Sequence, residues 1–348
     1  MFLLALFLFV GVVPGPLNSE AIRVLILASY NENDPCGSEQ IKGIKEKFYE
    51  IYGTDAVEIR TLYMRGRKVN VTDSTRKVVA EQFYQAFKEF KPKVVFLVDD
   101  LAIDYMIPYL QSDSADYIVV FTGMNKKLLD YQRKYGFMER IEGHTAIPKK
   151  NITGIIEKIY AKLSIKYALK LFPASPMDTV VFVFGPDVIS QIVKEQIFHE
   201  LIGFNEIQVK AITIKTFEDL IDTLNYINSN PHIPFYYPLT LTIDSAGKLM
   251  DMNDLAPYYK KFVKKPDITL NKFYCYMGFF GGVSLDFKAM GEAAALKAID
   301  YLRGEKDMRK LRVEEANVVE IVFNISRIKE LSLKIPFWFF VNSNIVSK

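Results

Sequence analysis

The chain has 348 residues, 50% of them hydrophobic and 24% charged, with a formal net charge of +3. That profile excludes a disordered or collagen-like chain and leaves enough length for two buried cores. The lysines are interleaved with acids, as in Lys45-Glu46-Lys47, and form no basic stripe with interleaved aromatics, which argues against nucleic acid as a partner.

In chain order, the first feature is the apolar run Met1–Val13 followed by Pro14-Gly15-Pro16. It is short for a bilayer span and has the character of a secretory signal peptide, with an uncleaved membrane anchor as the alternative. Residues 1–21 are therefore set apart from the fold, and the mature chain is expected in the periplasm or another extracytoplasmic space. No Lys or Arg precedes the run, and no Cys follows it to accept lipid.

From Ile22 onward, short apolar strands alternate with amphipathic helices. Ile22–Ala28 predicts a strand buried on both faces, and 38–52 a helix with Ile41, Ile44, Phe48 and Ile51 on one side. Val57–Met64 predicts a second strand, 73–90 a helix, Lys93–Val98 a third strand, a short helix through Tyr105, and Tyr117–Phe121 a fourth strand. A second series follows: helix 155–171, strand 179–184, helix 187–202, strand 207–213, helix 216–228, strand 235–243, a helix near 253–263, helix 286–303, strand 318–323 and helix 325–332. Repeated strand–helix alternation implies parallel sheets covered by helices on both faces. The fold class is α/β, with two Rossmann-like lobes.

In open α/β sheets ligands sit at the carboxyl ends of the strands. Those ends are Ser29-Tyr30-Asn31, Asp99-Asp100, Thr122-Gly123 with Asn125, Gly185 with Asp187, Asp244, and Gly281-Gly282. Backbone amides at Ser29 or Thr122 could accept a carboxylate if they begin helices. Asp99 or Asp100 could pair with an ammonium or sugar hydroxyls, or simply cap a helix. Tyr30 could stack on a ligand or pack between lobes. Gly281-Gly282 could admit a ligand to the backbone or serve a hinge turn, and Asp244 could be a turn residue.

Catalytic and metal signals are weak. No G-x-G-x-x-G follows the first strand and no G-x-S-x-G elbow occurs. His144, His199 and His232 share no metal-ligand spacing, and Cys36 and Cys275 are too few for a disulfide framework, their pairing being left open. The expectation is a binding protein without a catalytic residue, cofactor or metal, acting as a monomer. Phe337-Trp338-Phe339-Phe340 is expected to pack against the body of the protein.

Several segments together resemble a known family. They are IVVFTGMN over Ile118–Asn125, Asn151-Ile152-Thr153-Gly154, Leu169–Pro173, GEAAALKAIDYLRGEK over Gly291–Lys306, and Asn324 with the helix ending Lys334-Ile335-Pro336. In order and spacing, across about 22–336, they resemble the substrate-binding proteins of ABC transporters of the tryptophan and tyrosine uptake type. LILASYNE over Leu25–Glu32, Val98-Asp99-Asp100 and GFFGG over Gly278–Gly282 are similar to the extracellular sensor-domain branch of that family. The resemblance implies a type I periplasmic-binding-protein architecture with a multi-strand hinge. Lobe 1 would be 22–148 plus 283–310, and lobe 2 would be 149–282 plus 311–348. It implies closure on a small ligand, an amino acid or similar, which is presented to a membrane permease. The alternative is a ligand sensor partnering a membrane kinase or chemoreceptor.

Overall fold

The structure is a computed structural model that describes residues 20–65, 73–112 and 115–347. The apolar run Met1–Val13 lies outside the described residues. Among the described residues, no helix is long and apolar enough to cross a membrane.

The first part of the chain runs β1 (Ile22–Ala28), α1 (Pro35–Tyr52), β2 (Val57–Tyr63), α2 (Asp73–Phe90), β3 (Val94–Val98), α3 (Asp99–Leu110), β4 (Ile118–Met124), α4 (Leu128–Tyr135), the hairpin β5 (Met138–Glu142) and β6 (Thr145–Pro148), and β7 (Ile152–Ile156). The second part runs α5 (Ala161–Leu171), β8 (Thr179–Phe184), α6 (Val188–Glu200), β9 (Gln208–Thr213), α7 (Phe217–Ser229), β10 (Tyr236–Leu239), the hairpin β11 (Thr242–Ser245) and β12 (Lys248–Asp251), α8 (Met252–Phe262), α9 (Lys272–Tyr276) and β13 (Gly281–Leu285). The last elements are α10 (Phe287–Leu302), β14 (Glu314–Glu315), β15 (Val319–Asn324), α11 (Ile325–Glu330), α12 (Phe337–Val341) and β16 (Asn344–Val346).

Two sheets result. The first has the order β14-β7-β4-β3-β1-β2 and is parallel throughout. Strands β3, β4 and β7 are buried along their whole length, as a parallel sheet with helices on both faces requires. Helices α2, α3 and α4 supply the apolar cluster on one face, and α1 and α10 the cluster on the other. The second sheet has β9-β8-β10 in parallel. Single bridges from Tyr236 to Asp267 and from Ile268 to Gly281 carry it on to β13, which pairs antiparallel with β15, and β15 pairs in parallel with β16. The α/β fold with two parallel-sheet lobes matches the expectation from sequence.

The chain passes between the lobes at 157–160, at 286 and at 316–318, since β7, α10 and β14 belong to the first lobe while α5, β13 and β15 belong to the second. These crossings shift the boundaries drawn from sequence. The sequence reading puts residues 149–156 in lobe 2, but β7 pairs with β4 in the first sheet. Four of its five buried residues, Ile152, Thr153, Ile155 and Ile156, are β-branched strand formers, and the helix expected from 155 begins only at Ala161. Likewise Val283–Leu285 stays in the second sheet, and Glu314-Glu315 pairs with β7 in the first.

A buried ion pair fastens the second lobe. Arg327, on α11, donates Nε and Nη2 to Asp267 Oδ2 at 2.9 and 2.5 Å and Nη2 to the Val263 carbonyl at 3.1 Å. Asp267 Oδ1 accepts from the Phe280 amide at 2.5 Å. Burial pushes the Asp267 carboxyl up, and the guanidinium beside it pulls it back. At the C-terminus, Phe339 is fully buried and packs against Phe323 with the rings tilted, whereas Phe337 is 81% exposed, so only part of the aromatic run packs inward. Cys36 and Cys275 form no disulfide; burial pushes the Cys275 thiol up to about 12.

Candidate functional site

A cleft lies where the two sheets present the carboxyl ends of their strands to each other. It holds about 870 Å³ of space free of protein atoms, part of it open to solvent. Lobe 1 contributes Tyr30, Cys36, Asp99, Asn125 and Phe287, the crossing at 157–160 contributes Glu157, Lys158 and Ile159, and the end of β13 contributes Leu285. Lobe 2 contributes Ile189, Ser190 and Val193 from α6, Leu239 and Leu241 from the end of β10, and Leu270, Asn271 and Tyr274 around α9. Apolar walls with a few placed polar groups are the usual build of a small-molecule pocket.

Asp99 is the most constrained polar group on the lobe 1 side. It follows β3 directly, is 4% exposed, and takes a left-handed backbone with φ 66°. Its Oδ1 accepts from Gln40 Nε2 at 3.2 Å. Gly123 faces it, also with positive φ; a Cβ there would lie 2.4 Å from Asp99 Oδ1. The absence of a side chain at 123 therefore makes room for the carboxylate. Asn125 donates Nδ2 to Glu157 Oε2 at 3.1 Å, which holds the Glu157 carboxylate beside the turn after β4.

Asp100 points away from the cleft. Its carboxylate accepts from the amides of Asn125 and Lys126 and from the Tyr131 hydroxyl at 3.1 Å, fixing the turn after β4; burial raises its pKa. On the lobe 2 side, Asp187 caps α6, accepting from the Ser190 amide at 2.9 Å and the Ser190 hydroxyl at 2.6 Å. Lys158 is bound to Glu315 Oε2 at 2.8 Å, and that bond raises its pKa.

Polar contacts tie the lobes together on both flanks of the cleft. On one flank Gln196 donates Nε2 to the Asn125 carbonyl at 2.6 Å, and Lys127 pairs with Glu195 at 3.2 Å. On the other, Asn271 donates Nδ2 to Cys36 Sγ at 3.2 Å, and Lys272 binds Glu39 on α1 at 3.2 Å and Glu320 on β15 at 3.1 Å. Burial alone would lower the pKa of Lys272; the two carboxylates outweigh it and raise it.

Of the residues singled out from sequence, Tyr30, Asp99 and Asn125 line the cleft. The others do not. Ser29 is buried behind it, its hydroxyl donating to the Val98 carbonyl at 2.7 Å and accepting from the Ala102 amide at 2.9 Å. Asn31 is exposed in the turn before α1, where its carbonyl accepts from Asp34. Thr122 lies within β4, between Val98 and Ile155, and begins no helix. Gly185 leaves room for the Thr242 carbonyl, and Asp244 is exposed and bonds the Gly247 amide in a hairpin turn. Gly281 and Gly282 are packed against Val322 and Thr269 in the sheet, where a Cβ would lie 2.1 and 2.7 Å from their carbonyls. Cys36, Glu157, Ser190, Asn271 and the apolar wall were not found from sequence. Each sits a few residues past a strand end, or on a helix whose facing side depends on how the lobes meet. His144, His199 and His232 do not line the cleft. Among the described residues, no group of three His, Cys, Asp or Glu side chains could hold a metal ion.

No family model matches the sequence, and no curated protein matches it. Solved structures do. The chain is similar to the ligand-free, open form of a substrate-binding protein with adhesive properties from Clostridium difficile, at 15% identity and TM-score 0.69, covering 94% of this chain and 100% of that one. It is similar, at 15% identity and TM-score 0.64 with the same coverage, to an ABC domain in complex with L-Trp from Streptococcus pneumonia. A periplasmic sugar-binding protein from Pseudomonas fluorescens matches at 11% identity and TM-score 0.53, covering 86% of each chain. These likenesses establish the fold as that of the type I periplasmic binding proteins.

Proposed function

We propose that the protein is an extracytoplasmic solute-binding protein that closes its two lobes on a small organic ligand of about amino-acid size and presents it to an ABC transporter permease, without catalysis. The observation that carries this reading is the cleft itself, walled by apolar side chains from both lobes and edged by polar groups held in place from behind. The L-Trp seated in the Streptococcus pneumonia structure supports the size class, and the order of family-like segments supports the tryptophan and tyrosine uptake branch. The apolar N-terminal run supports export. Closure would shift the population toward the liganded form by the ligand's differential affinity for it.

The test is a thermal-shift screen of amino acids, amines, nucleosides, sugars and organic acids. A ligand at a hundred times its Kd adds about 2.7 kcal/mol, enough for a clear rise in Tm. No shift with any class would overturn the reading. With a ligand in hand, deleting the gene separates delivery from sensing: loss of uptake supports the permease partner, and intact uptake with a lost response supports a sensor kinase.

A further inference from the structure

The aromatic run near the C-terminus divides between the interior of lobe 2 and its surface. Phe339 is fully buried, and Tyr167 on α5 packs against it and against Trp338, with ring centroids 5.4 and 6.0 Å apart. Phe337, Trp338 and Val341 on α12 and Ile345 on β16 stay exposed, Phe337 to 81% and Val341 to 65%. Large apolar side chains gain by leaving water, so several left exposed side by side mark a surface made to be covered.

Helix α5 continues this face and adds charge to it. Leu163 is exposed, and together with Lys166, Tyr167, Leu169 and Lys170 it lines a groove bordered by Glu206. Lys162, Lys166 and Lys170 recur at every fourth residue and so stand on one side of the helix. Neither 161–173 nor 331–347 contains an acidic residue, whereas they carry Lys162, Lys166, Lys170 and Lys334. The bordering acids are engaged: Lys166 pairs with Glu206 at 2.9 Å, and the buried Arg327 with Glu330 at 2.9 Å.

These features select the occupant. A second copy of the chain docked on the same face would set lysines against lysines, which is unfavourable. An anionic lipid surface satisfies both halves of the face. Apolar side chains enter the acyl boundary, tryptophan favours the headgroup level, and lysines gain from the negative surface potential. Glu206 lies just before β9 and Lys170 near the end of α5, both at the end of the second sheet away from the cleft, so a bilayer there leaves the cleft open.

We propose that α12 and α5 form a lipid-contact face on lobe 2, which lies on an anionic membrane surface without spanning it. Phe337, Trp338 and Val341 enter the interface, and Lys162, Lys166, Lys170 and Lys334 face the headgroups.

Trp338 is the chain's one tryptophan and therefore reports on this face alone. The test mixes the full chain with vesicles of phosphatidylcholine containing about one third phosphatidylglycerol, with bromine on the acyl chains as quencher. Trp338 emission should shift to the blue and be quenched, and both effects should weaken in phosphatidylcholine alone and at high salt. Quenching should fall at least fivefold in Phe337→Ser with Val341→Ser, and at least fivefold in Lys162→Glu with Lys170→Glu. An unchanged circular dichroism spectrum shows that these variants fold. The apolar run Met1–Val13 can itself bring the chain to a vesicle, so co-sedimentation does not count; only Trp338 quenching does. Trp338 emission unaffected by brominated vesicles would overturn the inference. So would quenching that is equal in neutral vesicles and unchanged by the lysine substitutions. A blue shift that grows with protein concentration in the absence of lipid would assign the face to a second copy and overturn it as well. The readout is confined to lobe 2 and is independent of what the cleft binds.

Discussion

At Asp99 the backbone adopts φ 66°, a conformation that costs a non-glycine residue on the order of 1 kcal/mol, and the residue facing it, Gly123, is at φ 76°. Paired strain of this kind persists only where the surroundings impose it, and here it sets one carboxylate at the edge of the cleft. Gly123→Ala would combine an unfavourable φ with a Cβ 2.4 Å from Asp99 Oδ1. The expected cost is about 1–3 kcal/mol by urea denaturation. Ligand affinity should fall at least tenfold, because the carboxylate must move. Gly136→Ala is the control: φ is 63° there, but nothing lies within 4 Å of the added Cβ. It should cost stability and leave binding unchanged. The same neighbourhood shows what sequence could and could not reveal. Asp99 and Asp100 are adjacent after one strand and look alike in sequence, yet one lines the cleft and the other ties down the turn at 125–126. Backbone conformation separates them, and no side-chain pattern encodes a positive φ at an aspartate. Carboxylate-binding amides at Ser29 and Thr122 fail for a different reason: the Ser29 amide donates to the Val98 carbonyl, and Thr122 lies within β4, paired with β3 and β7.

At the scale of elements, α1 and α10 meet through two glycines in lobe 1. A Cβ at Gly43 would lie 2.1 Å from the Lys288 carbonyl, and one at Gly291 would lie 2.1 Å from the Gln40 carbonyl. Gly-to-Ala within a helix ordinarily stabilises by about 1 kcal/mol through propensity. Here the sign should reverse, because the obstacle is backbone. Gly291→Ala is expected to destabilise by about 1–3 kcal/mol in chemical denaturation. Both helices start at the cleft, with Cys36 and Phe287 on its wall, so a displaced α10 should also weaken ligand binding. Most of these elements were legible in sequence. Strands β3 and β8 declare themselves as β-branched and aromatic apolar runs and β1 as an almost wholly apolar one, and α2 and α10 as helices by their apolar periodicity, α10 with Asp286 as its cap. Strand β7 was hidden because ITGII leads straight into a helical pattern, and only its pairing with β4 decides between strand and helix. The hairpin β5–β6, the short α9 and the two-residue β14 carry too few residues for any period to register.

For the molecule as a whole, the proposed closure makes the free energy between open and closed arrangements of the lobes the quantity that matters, and the cross-cleft contacts would set it in the absence of ligand. Lys127–Glu195 is exposed on both sides and contributes little. Lys272 is different: its side chain is 15% exposed and sits between Glu39 of lobe 1 and Glu320 of lobe 2. Removing Lys272 would strand Glu320 and damage lobe 2 itself. Glu39→Gln removes the charge from the cross-lobe partner alone and leaves Lys272–Glu320 intact. A contribution of about 1 kcal/mol from that tie corresponds to roughly a fivefold change in the open–closed ratio. Because a ligand that binds the closed form has its apparent affinity scaled by the closed fraction, Kd should rise by about the same factor once the open form predominates. Glu39→Gln should therefore give a larger radius of gyration in small-angle scattering without ligand, return to the compact value at saturation, and show a weaker Kd with little change in the Tm of the ligand-free protein. A variant with unchanged dimensions and Kd would show that the Glu39–Lys272 tie does not hold the lobes together, and would move that role to Gln196 and Asn125 on the opposite flank.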